Sequence, residues 1–174
     1  MKGVFILALV LCLAGCATAP DAVPFPKPVL VSPPASLDFI LVTTGSALPE
    51  TMAETQLLND HIISSLRETG LFAKVSDHPA DGNAPGGIKV AVQIRQIVPV
   101  TANSRDWLGA LAGKARVVAQ VTISDLASGK LIETFAVEGR TAKTAVGGTT
   151  DEAIQRAAAK VAAEVIKLNA LTDS

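Results

Sequence analysis

Ile88-Lys89-Val90-Ala91-Val92-Gln93-Ile94-Arg95 decides how this chain folds. Every second residue is a β-branched aliphatic, and the residues between are Lys, Ala, Gln and Arg. Successive side chains of a strand point to opposite faces, so a period of two describes a strand with one apolar face and one wet face. Val117, Ala119, Val121 and Ile123 repeat the pattern, alternating with Arg116, Val118, Gln120 and Thr122. Gln96-Ile97-Val98 break the phase of the first strand, which predicts a bulge or a local twist there. Asp125-Leu126-Ala127-Ser128-Gly129-Lys130 has the Asp, Ser and Gly of a turn, and residues 131–139 return as a further strand. These two strands form a hairpin.

Upstream, residues 37–42 are a short β-rich segment. Thr51 and Glu54 have capping-box spacing, with Pro49 and Glu50 just before them. Leu58, Ile62 and Leu66 then recur every four residues on one helical stripe, and Gly70 closes that helix as its C′ residue. Residues 72–75 are a brief strand, followed by the turn-rich segment 76–87. Downstream, Thr149 and Glu152 form a second capping box after Gly147-Gly148. Ile154, Ala158, Val161, Val165 and Leu168 line one face of a terminal helix. The expected fold is an α/β (α+β) two-layer sandwich in the order β-α-β-β-β-β-α. Its sheet is mostly antiparallel, with four or five strands and two helices on one face.

The chain has 174 residues, 49% of them hydrophobic, yet only 3% aromatic and with no Tyr. That length suits one domain rather than two. The formal charge is −1, which offers no basic footprint for nucleic acid. Much of the apolar excess lies at the start, where twelve of the first fifteen residues are apolar and Lys2 is the one charge. The run over residues 4–14 is too short to span a bilayer core of about 30 Å and fits the apolar region of a secretory signal. Leu13-Ala14-Gly15-Cys16 resembles the bacterial lipobox. The resemblance implies cleavage after Leu13, Ala14 and Gly15, a diacylglycerol thioether on Cys16, and acylation of its new amine. Ala17 resembles the default outer-membrane sorting position of Gram-negative lipoproteins, where Asp would mean retention in the inner membrane. Cys12 leaves with the signal, so the mature chain is expected to hold no disulfide.

Residues 17–36 contain Pro20, Pro24, Pro26, Pro28, Pro33 and Pro34, six of the ten prolines. Proline fixes φ and favours the extended polyproline II form, so this segment is a tether or a disordered leader. Val29-Leu30-Val31 within it is free or lies against the domain. The expected organisation is a signal peptide at 1–15, the lipidated Cys16 with its tether at 16–36, and one globular domain at 37–174.

The lipobox, Val121-Thr122-Ile123-Ser124-Asp125 with Ser128-Gly129-Lys130, and residues 147–154 with Arg156-Ala157-Ala158 together resemble a group of proteobacterial lipoproteins of unknown function. The order of strands and helices is similar to that of the TolB N-terminal and CsgG periplasmic domains, a likeness of fold alone. The resemblance supplies no catalytic residues.

Chemistry-bearing motifs are sparse. Gly109, Gly113 and Lys114 lack the spacing and the following Ser or Thr of a phosphate loop, and their small neighbours suit a tight turn. Asp151 and Glu152 occupy the first turn after Gly147-Gly148 and would repel an anion there. Asp77, His78 and Asp81 fall short of a calcium or zinc donor set and read as a solvated turn. His61 reads as a surface or edge histidine of the first helix, and no nucleophile elbow accompanies it. Arg105-Asp106-Trp107-Leu108 contains the one Trp, between two strands. It either caps one end of the core or contacts a partner or membrane surface. The wet face of the sheet carries Lys89, Gln93, Arg95, Arg116, Gln120 and Thr122, a solvated or docking surface.

No catalytic residue, metal or cofactor is expected beyond the acyl chains on Cys16. The expected protein is a lipid-anchored, periplasm-facing outer-membrane lipoprotein, not an enzyme. Its domain binds or assembles with another envelope protein, with self-association as a further expectation. The alternatives are an envelope-acting hydrolase and a small-ligand carrier.

Overall fold

The computed structural model describes residues 29–30, 37–79, 86–99, 114–141 and 149–172. Strands β1 (Val29–Leu30) and β2 (Phe39–Ser46) precede a 3-10 turn at Pro49–Thr51 and helix α1 (Met52–Glu68). Strands β3 (Lys74–Ser76), β4 (Gly87–Val98), β5 (Arg116–Asp125) and β6 (Leu131–Arg140) follow, then helix α2 (Thr150–Thr172). They form a two-layer α/β fold, one mixed sheet under two helices, in the expected order with the two-residue β1 added in front.

The sheet order is β1-β6-β5-β4-β2-β3. β4, β5 and β6 form an antiparallel meander, and β1 adds to β6 antiparallel through Val29 opposite Thr134 and Leu30 opposite Glu133. β2 pairs parallel with both β4 and β3, so the sheet is antiparallel on one side and parallel on the other. The parallel pairing has a physical cause: β2 reaches its neighbours through α1, a helical crossover that returns the chain in the same direction. The expected bulge is present, with a register shift between Ile94 and Gln96. A second shift lies at Ile123/Ser124, where Ile132 is the extra residue on β6.

Ile88, Val90, Val92 and Ile94 of β4 and Val117, Ala119, Val121 and Ile123 of β5 are all buried in one cluster. Leu58, Ile62 and Leu66 of α1 and Ile154, Ala158, Val161, Val165 and Leu168 of α2 cover it from one side. The apolar stripes expected from the sequence are therefore the buried faces of both helices. α1 lies over β2, α2 over β5 and β6, and the two helices pack against each other. Gly139 on β6 lets α2 come close: a Cβ there would sit 1.9 Å from the Ala153 carbonyl oxygen.

The helix ends differ. Thr149 caps α2 as expected, its Oγ1 accepting from the Glu152 amide at 3.1 Å. Thr51 does not cap α1 through its side chain. The 3-10 turn turns its hydroxyl back to donate to the Leu48 carbonyl (2.8 Å), with Ser46 Oγ also in hydrogen-bond contact (2.7 Å), so the capping-box reading of Thr51 and Glu54 is corrected. Gly70 follows α1 at φ 66°, the left-handed conformation expected of a C′ glycine, and its amide donates to the Arg67 carbonyl. The brief strand expected at 72–75 is Lys74–Ser76. Phe72 is instead buried in the helix-side core. No helix among the described residues is long and apolar enough to cross a membrane.

Candidate functional site

No described helix covers the second face of the sheet, and strand register fixes what stands on it. Thr43, Ala91, Thr122 and Thr134 form one cross-strand row. Gly45, Gln93, Gln120 and Ala136 form the next. Small residues in the floor leave a shallow trough of about 390 Å³, lined also by Ser46 and Arg95. Arg95 donates through Nε (3.1 Å) and Nη2 (2.6 Å) to Gln120 Oε1. The bulge after Ile94 is what turns Arg95 and Gln96 together onto this face. Toward the β3 edge the same face becomes apolar, with Phe39 and Leu41 buried. Lys74 Nζ sits 5.8 Å from the Phe39 ring centroid. Lys89 is half-buried opposite Leu41.

At the other edge the polar face becomes charged. Arg116 donates to the Glu138 carboxylate and, at 3.4 Å, to Gln96 Oε1. Arg140 donates to the same carboxylate oxygen of Glu138. Burial pushes the Glu138 carboxyl up, but the hydrogen bonds from Arg140 and Arg116 outweigh it and hold the group below the usual glutamate range. Around the edge, Glu138, Arg140, Arg156, Ala159 and Lys160 line a cavity of about 510 Å³ between β6 and α2. Lys160 Nζ donates to the Glu138 backbone carbonyl at 2.6 Å, and Arg156 Nη2 to Glu152 at 2.6 Å.

The remaining candidate residues lie apart from both. His61 of α1 is half-buried, with Nε2 4.0 Å from Asp151 Oδ1 at the start of α2. Asp77 and His78 pair at 2.6 Å on the surface after β3, a bond that lowers the Asp77 carboxyl. Asp125 accepts from the Ser128 hydroxyl and amide inside the hairpin turn, and those bonds lower its carboxyl. Among the described residues no three His, Cys, Asp or Glu side chains come together. The sites expected at Leu13, Ala14, Gly15, Cys16 and Ala17 lie outside the described residues. So do Arg105, Asp106, Trp107 and Leu108, and so do Asp81, Gly109, Gly113, Gly147 and Gly148.

The structure brings Gln93, Arg95, Gln120 and Thr122 onto one trough and sets Arg116 apart in the charged corner. Sequence reasoning missed Glu138 and Arg140. Their spacing of two in a strand, with Arg116 on the facing strand of a hairpin, was the available signal. Together the two regions offer hydrogen-bond donors, acceptors and cations, a surface suited to recognition.

The protein fold is similar to that of PelC dodecamers from Paraburkholderia phytofirmans in two crystal forms. One is 16% identical, with a TM-score of 0.55 over 80% of this chain and 94% of that chain. The other is 15% identical, with a TM-score of 0.57 over 80% and 96%. It is similar also to a DUF330 protein from Xanthomonas campestris, at 16% identity and a TM-score of 0.50 over 82% and 91%. At these identities the likeness is one of fold. Comparison with curated proteins finds no match. A family model described as a domain of unknown function (DUF4410) matches residues 43–145, more than half of the sequence, and the chain belongs to that family.

Proposed function

We propose that this protein is a lipid-anchored envelope lipoprotein whose α/β domain is an assembly module, associating with further copies of itself and with another envelope protein. The reading assigns it no catalytic role. The observation that carries it is the fold shared with PelC, a protein that forms dodecamers, in a chain whose two described helices both lie on one face of the sheet. The helix-free face supports it as well. A row of Thr and Gln side chains over Ala91, Gly45 and Ala136 is flat, hydrogen-bonding and nearly uncharged. Such a surface docks against another protein with little desolvation of charge.

The lipobox at Leu13-Ala14-Gly15-Cys16 supports the anchor, with Ala17 directing the protein to the outer membrane. Several acyl chains hold far more firmly than one, because each buried CH₂ contributes about 0.8 kcal/mol. Mild crosslinking in cells followed by purification tests both parts. The expected products are ladders of this chain alone and a heteromeric band, with the intact mass of the mature protein carrying diacylglycerol and an acyl chain on Cys16. A monomer with an unmodified Cys16 would contradict the proposal.

A further inference from the structure

Four cations gather at one corner of a chain whose formal charge is −1. Arg116 and Arg140 come from the β5–β6 hairpin, Arg156 and Lys160 from α2. Gly139 brings them together. Because it lacks a side chain, α2 lies directly on β6, with Ala153 and Ala157 against Gly139. Glu138 and Arg140 flank that glycine on β6, and Arg156 and Lys160 follow the two alanines on α2. The cavity of about 510 Å³ lies where these flanks meet.

Glu138 and Glu152 offset two of the four cations, so the corner keeps a net positive charge. One Glu138 oxygen already accepts from both Arg116 and Arg140. Among the described residues many donors also stay unspent. Arg140 bonds Glu138 through Nε, Arg156 bonds Glu152 through Nη2, and Lys160 gives one proton to a backbone carbonyl. A guanidinium carries five N–H donors and an ammonium three, so most of them remain for a ligand. Arg140 and Arg156 are about half exposed, which leaves them accessible from solvent.

We propose that this corner is an oxyanion site that takes a phosphate group. The three cations that line the cavity, Arg140 on β6 and Arg156 and Lys160 on α2, match a tetrahedral dianion, whose oxygens point in different directions. A planar carboxylate is satisfied by a single guanidinium fork. Phosphate offers the same chemistry as a free ion and as a phospholipid headgroup, and both are compatible with a cavity open to solvent. The inference does not depend on the oligomeric state.

The test uses the full chain in a zwitterionic, phosphate-free detergent and follows binding by calorimetric titration at fixed ionic strength. The probes are inorganic phosphate and the short-chain lipid dihexanoylphosphatidylglycerol. Saturable binding is expected, weakened about tenfold or more in Arg140→Gln/Arg156→Gln, since charge-assisted hydrogen bonds carry the affinity. Tighter binding of the lipid names the headgroup as the ligand, and tighter binding of inorganic phosphate names the free ion. Thermal unfolding checks that the variant is folded, and if it is not, Arg156→Gln alone carries the test. Binding that survives the substitutions, or heat that sodium chloride reproduces, would overturn the site. Loss of self-association in the variant without any phosphate binding would likewise overturn it and give the corner to an acidic protein surface.

Discussion

At Gly139 the absence of one methyl group sets the distance between α2 and the sheet. A Cβ there would lie 1.9 Å from the Ala153 carbonyl oxygen and 2.7 Å from the Ala157 amide nitrogen, both rigid helix backbone. Gly139→Ala must push the helix away, and we expect a loss of about 3 kcal/mol, read by chemical denaturation, as for other overpacked cores. Glu133 is a second residue with a cost. Strand alternation from Phe135 and Val137 puts it on the helix side, opposite Ile123, where it is buried within electrostatic reach of Glu164 and Lys167. Burial, and then repulsion from Glu164, raise its carboxyl above the ordinary glutamate value. A raised carboxyl favours the protonated form in the folded state. Its stabilising contribution is present below the unfolded value and is lost as pH rises through the folded one. Glu133→Gln mimics the protonated form. It should stabilise the protein by about 1 kcal/mol near neutral pH, with the gain disappearing in acid. A pH series of thermal unfolding on both proteins checks this, and an equal gain at every pH would exclude the titration as its cause.

Among the elements, α2 was the most legible from sequence and depends on a short list of residues. Thr149→Ala removes the hydroxyl that accepts from the Glu152 amide and should cost about 1 kcal/mol in denaturant unfolding. Leu58→Ala in α1 removes a fully buried side chain from the helix–sheet contact and should cost about 3 kcal/mol. Both helices and the β4–β5–β6 meander could be read in advance, because periods of 3.6 and 2 are local properties of the chain. The hairpin turn was legible too, since Asp125 and Ser128 hydrogen-bond within it. Strand neighbours were not. Nothing local in residues 39–46 distinguishes a parallel from an antiparallel partner, and α1 decides that by returning the chain across the sheet. The Thr51 spacing misled because Ser46 and the Leu48 carbonyl compete for its hydroxyl. The charged corner was hidden for a related reason. Glu138 joins Arg116 only through the register of two strands, and reaches Arg156 and Lys160 only through tertiary packing.

The described residues are lopsided: two helices seal one face of the sheet, and the other face carries a polar trough between an apolar edge and a cationic corner. That asymmetry organises the proposed role. In that proposal the lipobox and Pro-rich segment would supply an anchor and a tether, and the helix-free face and its edges the surfaces for assembly. Removing the anchor should separate the two functions. A Cys16→Ala chain is expected to lose the acyl mass and its retention with outer membranes. The directest check on the assembly reading is the mass of the lipidated full chain in detergent, measured by light scattering coupled to size exclusion across a dilution series. The account predicts a closed species of several copies that persists on dilution. A single-copy mass at every concentration would contradict it.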